Sequence, residues 1–463
     1  MIPLKSVEDI YFRRMFQNLG FSEKVTNISR RTVERVMNNM FLDNMYKIKE
    51  DLKTVPYVCT TVDIWSARRK SLFAVTVHWI SSKYERKSAA LACRRFAGVH
   101  SFDKVTDMLK TIHGEFGLTT DKIVATITDN ASNVVKAFKL FGIKETSITI
   151  EDEEDISSGS STEEEEEEEE KEEENANRIF IDYVLPRHIR CAAHTLKLCV
   201  TTDMMQTIRG NDMLSVIHTG VMQKCNILWN AAMRPKSAEE IERIIGHTLR
   251  RPSETRWNSF YDSLTQILEN ENKIIEIGRV LGIQNILRKN DFLYIKEHLR
   301  CTSPIAKAID ILQGENDIFY GILLPCLLSL QRKLKNLTEH TWTFCGPLSA
   351  CLLASLENRF TNYFNFTTPE ANNVALAALS HPQFKNQWFP CIEKFHRDEL
   401  MELFKKTITQ ELKNDNSSVT AMPTATTSST HDDFFDFDDN PTDQIIDYAS
   451  KASLQVSKLL PNW

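Results

Sequence analysis

The spacing of apolar positions divides the chain into two kinds of secondary structure. Over the first fifty residues, apolar side chains recur three and four residues apart, which predicts helices, with Ser29 near the start of one. From Val55 the spacing falls to two. Three short segments rich in β-branched and aromatic residues, separated by polar turns, predict consecutive antiparallel strands: 57–65, 71–80 and 88–99.

The segments that follow alternate between the two kinds. Residues 102–117 and 131–142 have helical spacing, and 122–129 between them is a strongly apolar strand. The predicted order of elements is therefore βββαβα, an α/β core with a mixed sheet. Farther along, 178–204 predicts one more strand and helix of this core, and the pattern up to residue 413 is almost wholly helical.

Composition sets the remaining boundaries. Residues 148–177 include an unbroken run of glutamates, and like charges with nothing apolar to bury predict a disordered loop. A Ser/Thr-rich linker separates the helices from an acidic, aromatic C-terminal segment with a last short helix. The predicted organisation begins with an N-terminal helical region (1–54) and the first part of the core (55–147). The acidic loop (148–177) separates it from the second part of the core (178–204). A large helical insertion (205–413), a linker (414–431) and a C-terminal tail (432–463) follow.

The formal net charge of -7 hides a strong segregation of charge. Residues 151–174 carry sixteen acidic residues and one lysine, so the remaining chain stands at +8, and at +15 without the seven aspartates of 432–447. A basic body of this kind is compatible with contact to a phosphate backbone. No apolar run is long enough to cross a bilayer, which predicts no membrane partner. Ten scattered cysteines without a CxxC pair predict reduced thiols in a nuclear or cytoplasmic protein.

Two aspartates stand out by their position. Asp63 interrupts the first strand, and Asp129 closes the apolar strand 122–129. A carboxylate in a buried strand costs free energy unless it is paired, hydrogen-bonded or bound to a metal. If the two strands are neighbours, the pair predicts a divalent-metal site, with Mg²⁺ or Mn²⁺ as the ion. The alternatives are a helix N-cap for Asp129 and a solvent-exposed strand end for Asp63.

Four segments between residues 57 and 264 form an ordered set of motifs: TTVDIWSARRKSLFAVTVHWI, ITDNASNVVKAF, RCAAHTLKL and RPSETRWNSFYDSL. In order and in wording, this set resembles hAT transposases and their domesticated relatives. The resemblance implies a ribonuclease H-like core with a large all-α domain inserted before its last helix. It also implies a nuclear location and DNA as a partner, with other nuclear proteins as further candidates.

The resemblance also implies roles for single residues. Asp63 and Asp129 match the first and second catalytic aspartates of the family. Cys191 and His194 match a CxxH pair that lies beside the active centre. Two ligands are an incomplete set for a structural zinc, so the alternative is a small buried cysteine with a hydrogen-bonded histidine.

Arg256 and Trp257 match the RW pair of the family, whose tryptophan is associated with stabilising a base that is flipped out of the DNA. An indole can stack on an extruded base while an arginine contacts phosphate, so the pair predicts a DNA-binding site. The alternative for Trp257 is an ordinary aromatic side chain that packs a helix.

The chain departs from the family pattern near both ends. The spacing of a BED-type zinc finger is absent. The C-terminal match stops at Trp463, before the SERxFS-like motif with the third catalytic carboxylate and before the dimerisation region. We therefore expect an inactive, domesticated or truncated relative that retains DNA or chromatin association and requires no cofactor, with its oligomeric state left open.

Two other functions stay open. One is an active metal-dependent nuclease in which Glu357 or Glu393 completes the catalytic triad. The other is a protein-interaction module without DNA binding. It would use the helical domain and the acidic aromatic segment around Phe434, Phe435 and Phe437 as docking surfaces.

Overall fold

The computed structural model describes residues 3–20, 28–143, 184–414 and 434–437, except 68, 84, 99, 254–255, 315–318 and 436. The predicted acidic loop, most of the linker and the predicted last helix lie outside the described residues. The chain divides into two compact units, Met1–Cys191 and Ala192–Trp463. We call them the sheet unit and the helical unit.

Within its described residues, the sheet unit contains five strands and the helices that accompany them. A short 3-10 helix, Leu4–Glu8, precedes the first α-helix. The Ser29 side chain accepts a hydrogen bond from the backbone N–H of Thr32 at 3.2 Å, so the predicted helix start is confirmed. In chain order the elements are α1 (Ile10–Asn18), α2 (Arg30–Thr54), β1 (Val58–Ala67), β2 (Lys70–Ile80), β3 (Arg86–Arg95), α3 (Phe102–Glu115), β4 (Ile123–Thr128), α4 (Ser132–Phe141) and β5 (His188–Arg190).

The five strands form one mixed sheet in the order β3-β2-β1-β4-β5. The pairs β1/β2 and β2/β3 are antiparallel, whereas β1/β4 and β4/β5 are parallel. The predicted α/β class and the predicted order βββαβα are thus confirmed. Because β4 lies beside β1, the strands that carry Asp63 and lead to Asp129 are neighbours.

The two faces of this sheet differ in composition. Alternate residues of β1 and β2 pack with Val105, Leu109 and Ile112 of α3 into one apolar cluster. We call this side the apolar face, and its most deeply buried members are Thr60, Phe73, Val75, Val77 and Thr126. None of the described residues at the intervening positions of β1 and β2 belongs to the cluster. We call that side the polar face, which includes Thr61, Asp63, Trp65, Lys70, Leu72, Thr76, His78 and Arg95.

The helical unit confirms the predicted run of helices. Its first helix begins at Ala192, upstream of residue 205, where the sequence predicts the insertion to start. A π-helical turn, Cys199–Asp203, and two 3-10 turns, Tyr320–Ile322 and Phe389–Cys391, join its helices. The α-helices are α5 (Ala192–Leu198), α6 (Met204–Arg209), α7 (Asp212–Ala232), α8 (Pro235–Ile245), α9 (Trp257–Glu269), α10 (Glu271–Leu281), α11 (Lys289–Leu312), α12 (Leu323–Thr338), α13 (Gly346–Arg359), α14 (Thr361–Phe364), α15 (Pro369–Ser380) and α16 (Lys394–Asn414).

Two further properties bear on the environment of the protein. Among the described helices, none has the length and the apolar character that a bilayer crossing requires. All ten cysteines lie in the described part of the chain, and none of them is in a disulfide.

Candidate functional site

Asp63 lies on the polar face, inside β1. Its register partner on β2 is Ala74, and its side chain is exposed. Asp63 is not at a strand end, because β1 continues to Ala67, but its side chain is exposed as the alternative interpretation predicts. The exposure explains how a carboxylate is tolerated in this strand, since water solvates its charge.

Asp129 follows the last residue of β4. Val62 of β1 is paired with Thr128, so Asp63 and Asp129 are the next residues along two parallel strands. Neighbouring strands lie about 5 Å apart. Helix α4 has Ala131 as its N-cap, so the alternative interpretation of Asp129 as the N-cap is wrong. Its Oδ1 instead accepts a hydrogen bond from the backbone N–H of Ala131 at 3.2 Å, which closes a local turn.

The two carboxylates are the type of ligand that a hard divalent cation prefers, but two of them are too few to fill its coordination sphere. Oxygen ligands are those that Mg²⁺ and Mn²⁺ prefer, and Asp63 on β1 is next to the end of β4, which Asp129 directly follows. Within the described ranges, no three His, Cys, Asp or Glu side chains are grouped so that they could hold a metal ion. An ion at this position would therefore depend on Asp63, Asp129 and water.

Three side chains near Asp63 add positive charge and an aromatic ring to the polar face. Trp65 is paired with Leu72, and Leu72 with Arg95, so the indole and the guanidinium lie on the same face as Asp63. Lys70 lies on this face too, at the start of β2. Trp65 is 37% exposed, and Lys70 and Arg95 are exposed. We call Trp65, Lys70 and Arg95 the basic aromatic patch. The sequence motifs include Trp65 and Lys70, but they do not indicate that Arg95 lies on the same face.

A hydrogen-bonded chain crosses the polar face in the direction away from this patch. Thr61 Oγ1 and Thr76 Oγ1 lie 2.5 Å apart, and Thr76 Oγ1 lies 2.9 Å from Nε2 of His78. Burial, and then the charge of Arg86, lower the pKa of His78. The imidazole is therefore neutral at pH 7. It orders the hydroxyl group of Thr76 on β2 and, through it, that of Thr61 on β1, the strand of Asp63.

His188, which the sequence did not single out, anchors β5 beside Asp129. Its Nε2 lies 2.8 Å from Thr128 Oγ1, and its ring stacks on Phe138 with 4.6 Å between centroids. Burial, followed by the charge of Arg190, lowers the pKa of His188 to about 4. Its position on the apolar side of a strand end explains why only the folded structure reveals it.

The CxxH pair is divided between the two units. The backbone N–H of Cys191 donates to the carbonyl oxygen of Thr128 at 2.8 Å, which extends the pairing of β5 with β4. His194 lies in α5 of the helical unit, and both side chains are half-buried. In the part of the chain that the structure describes, neither belongs to a group of three or more metal ligands.

Arg256 and Trp257 lie at the start of α9 in the helical unit. Arg256 is the N-cap residue and is exposed, and Trp257 is the first helical residue. The half-buried indole packs against the core of this unit, with its ring 6.1 Å from that of Tyr261. The hydroxyl of Ser259 fixes the turn, because it donates to the Arg256 carbonyl oxygen at 2.7 Å. Part of the indole thus supports the helix and part faces solvent.

The two glutamates considered as a third catalytic acid also belong to the helical unit. Glu357 lies on α13 and accepts a hydrogen bond from Gln331 Nε2 at 2.9 Å. Glu393 is exposed and precedes α16. Nothing in these local contacts prepares either residue as a metal ligand.

The chain matches no protein-family model, and it matches no curated protein. The interpretation of its function therefore rests on the residues of the chain itself. The sheet unit is an α/β unit in which Asp63 on β1 and Asp129, directly after the adjacent parallel strand β4, follow paired residues, and a basic aromatic patch shares the face of Asp63. The helical unit presents an arginine and a tryptophan at a helix N-terminus.

Proposed function

We propose that this chain is a hAT transposase-derived protein that binds DNA without cleaving it. Asp63 and Asp129 are the inherited aspartates of a ribonuclease H-like metal site. The observation that carries the proposal is the position of Asp63 on β1 and of Asp129 directly after the adjacent parallel strand β4, each one residue beyond the Val62/Thr128 pair. A site for phosphoryl-transfer chemistry needs such neighbouring carboxylates.

The fold supports this ancestry. The four hAT-like segments include β1, the β4–α4 turn, the β5–α5 junction and the start of α9. The order βββαβα and the mixed sheet are those expected of a ribonuclease H-like core. The large all-α unit that follows β5 agrees with the helical insertion of this family.

The basic aromatic patch supports DNA as the partner. Lys70 and Arg95 can neutralise phosphates, and Trp65 can stack on an unpaired base, all on the face that carries Asp63. Arg256 and Trp257 provide the same two chemical groups at a helix N-terminus, where backbone N–H groups favour an anion. We therefore propose nuclear DNA or chromatin association.

The ligand set supports the absence of cleavage. In two-metal hydrolysis one ion activates the attacking water and the other stabilises the leaving oxygen. Asp63 and Asp129 would be the ligands of Mg²⁺ or Mn²⁺, and the described residues place no third acidic, histidine or cysteine ligand with them. The aspartates then bind an ion weakly, and the protein requires no cofactor to bind DNA.

The experiment is a salt series of DNA binding by the full chain. We expect labelled DNA to bind at 50 mM salt and the logarithm of affinity to fall linearly with the logarithm of salt concentration. Replacing Lys70 and Arg95 by glutamine should reduce the slope by about one for each phosphate that the variant no longer neutralises. The matched control replaces Lys110 and Lys139, two exposed lysines on α3 and α4, and should keep the slope. Failure of the wild-type chain to bind DNA at low salt would refute the proposal.

A further inference from the structure

The acidic aromatic segment is not the exposed docking surface that the sequence suggests. Phe434 and Phe437 are only 5% and 6% exposed and belong to the core cluster of the helical unit. Phe435 packs, partly buried, against the same cluster. These phenylalanines therefore stabilise their own unit. The structure leaves a different set of apolar side chains uncovered, on helix α2 of the sheet unit.

Helix α2 is buried only near its C-terminal end. Its buried residues are Ile48 and Leu52, whereas every side chain from residue 34 to residue 44 is exposed. This exposed stretch is about three helical turns long and includes Asn38 and Asn39, which are weak helix formers. Because so short a helix is only marginally stable in water, packing against another surface would stabilise it.

The exposed stretch carries one continuous apolar stripe. Val36, Met37, Met40 and Phe41 are 47%, 53%, 65% and 60% exposed. At about 100° per residue, these four side chains lie within about 140° of the helix circumference. We call them the α2 stripe. Met37 and Phe41 begin a row, at spacings of three and four residues, whose later members pack into the apolar cluster of the sheet unit: Met45, Ile48 and Leu52. The stripe thus extends a core-forming side of the helix beyond the surface that covers it.

The α2 stripe has the same spacing in both chain directions. Two bulky residues, Val36 and Met37, precede two asparagines, and two more, Met40 and Phe41, follow them. Helical geometry turns both asparagines away from the stripe. Two antiparallel copies of α2, related by a two-fold axis midway along the stripe, therefore place Met37 opposite Met40 of the partner subunit and Val36 opposite Phe41 of the partner subunit. A two-fold symmetric interface requires this self-complementarity.

The size of the α2 stripe also fits a second copy. Its four side chains expose on the order of 400 Å², an area that marks interaction sites on protein surfaces. Two copies bury twice this area, and the polar side chains at the edges of the stripe add to it. The total approaches about 1,200 Å², the lower end of specific interfaces, which is the size of a reversible dimer.

We infer that the α2 stripe is a homodimer interface, at which two copies of this chain pair their α2 helices antiparallel. The occupant of the stripe is the same stripe of a second copy. Removal of the methionine and phenylalanine side chains from water drives the association. This inference concerns the oligomeric state and is independent of the DNA-binding role.

The first test measures the mass of the full chain by analytical ultracentrifugation without DNA. We expect the wild-type mass to rise from monomer to dimer as the concentration increases, with a dissociation constant on the order of 10 µM. Met40→Glu should weaken this association by about tenfold or more, because the dimer would bury an unpaired charge. A wild-type chain that stays monomeric at about 100 µM, or a dimer that Met40→Glu leaves intact, would overturn the inference.

The matched control is Leu42→Glu. Leu42 is 63% exposed on the same helix, roughly opposite the middle of the α2 stripe, so its replacement should leave the dissociation constant unchanged. Both substitutions fall on exposed positions, and circular dichroism checks that each variant keeps its helices. If a variant loses them, Met40→Gln and Leu42→Gln give a milder comparison. Equal weakening by the two substitutions would show that the stripe is not the interface.

A pair of charges tests the antiparallel arrangement. Met37→Glu alone should weaken association by about tenfold. Adding Met40→Lys to the same chain should recover part of the affinity, because the introduced carboxylate of one copy then faces the introduced ammonium group of the other. In a parallel pair, position 37 would face itself and the two carboxylates would repel. A double variant that associates no better than Met37→Glu would therefore overturn the antiparallel pairing.

Discussion

The two faces of the sheet are made from the same strands and differ in nearly every other respect. On the apolar face, Phe73, Val75 and Val77 are fully buried. On the polar face, the alternate positions of the same strands carry Asp63 and Trp65. Because successive side chains of a strand point to opposite faces, one face can be buried and stabilise the fold while the other carries charged side chains. We therefore expect stability to depend on the apolar face and nucleic-acid contact on the polar face.

Truncating a core aromatic should give the largest effect. Phe73→Ala removes a fully buried ring that packs against Phe96 at 5.3 Å between centroids. It should lower the free energy of unfolding by about 3 to 5 kcal/mol. Leu72→Ala, the neighbouring residue on the polar face, should lower it by about 1 kcal/mol or less, because Leu72 is only half-buried. Urea unfolding of both variants checks the difference, and equal decreases would contradict the contrast between the faces.

Acid should destabilise the helix that covers the apolar face. Burial lowers the pKa of His113 on α3 to about 4, from an unfolded value near 6.5. Below pH 6.5 the unfolded chain takes up a proton at this histidine and the folded chain does not. The free energy of unfolding should therefore fall by about 3 kcal/mol as the pH decreases from 6.5 to 4. His113→Leu should remove this part of the pH dependence between pH 7 and pH 4.5 in urea unfolding. An unchanged dependence in the variant would show that His113 does not titrate as proposed.

Hydroxyl pairs on the two faces should respond differently to deletion. Thr60 and Thr126 hydrogen bond at 2.8 Å and are fully buried on the apolar face. Thr60→Val alone removes a buried hydrogen-bond partner of the Thr126 hydroxyl and should lower the free energy of unfolding by about 1 to 3 kcal/mol. The double variant, with Val at both positions, should regain much of this free energy. The partly exposed pair Thr61 and Thr76 should show a smaller coupling free energy, because water can take the place of the deleted hydroxyl. Two double-mutant cycles measure both couplings.

Removing the charge of Asp63 should have the smallest effect on folding. Asp63 is exposed, so Asp63→Asn should change the midpoint of urea unfolding little. The matched change Asp203→Asn in the helical unit removes a carboxylate that accepts from Arg359 at 2.6 and 2.7 Å, and it should lower the midpoint clearly. A large decrease for Asp63→Asn would mean that the residue is structural and would weaken its assignment to a metal site.

Much of the sheet unit could be predicted because period-two alternation and apolar content are local signals. The three antiparallel strands, the βαβ-like sequence after them and the Ser29 cap all follow from residues close in the chain. The grouping of Arg95 with Trp65 and Lys70 could not be predicted, because it depends on the register of three strands. Two of these strands are joined by a turn in which Arg69 has a φ of 64°. The burial of Phe434 was missed because charge density indicates solvation, whereas long-range packing decides the outcome.

The cleavage of labelled DNA tests the central claim most directly. The full chain is incubated with duplex and hairpin DNA in Mg²⁺ or Mn²⁺, beside a variant with Asp63→Asn and Asp129→Asn, and the products are separated on denaturing and native gels. We predict a retarded but intact DNA with both proteins, since two aspartates alone do not complete the metal site. Strand breaks or joined products that appear with the wild-type chain and vanish with the double variant would contradict the claim and show an active nuclease.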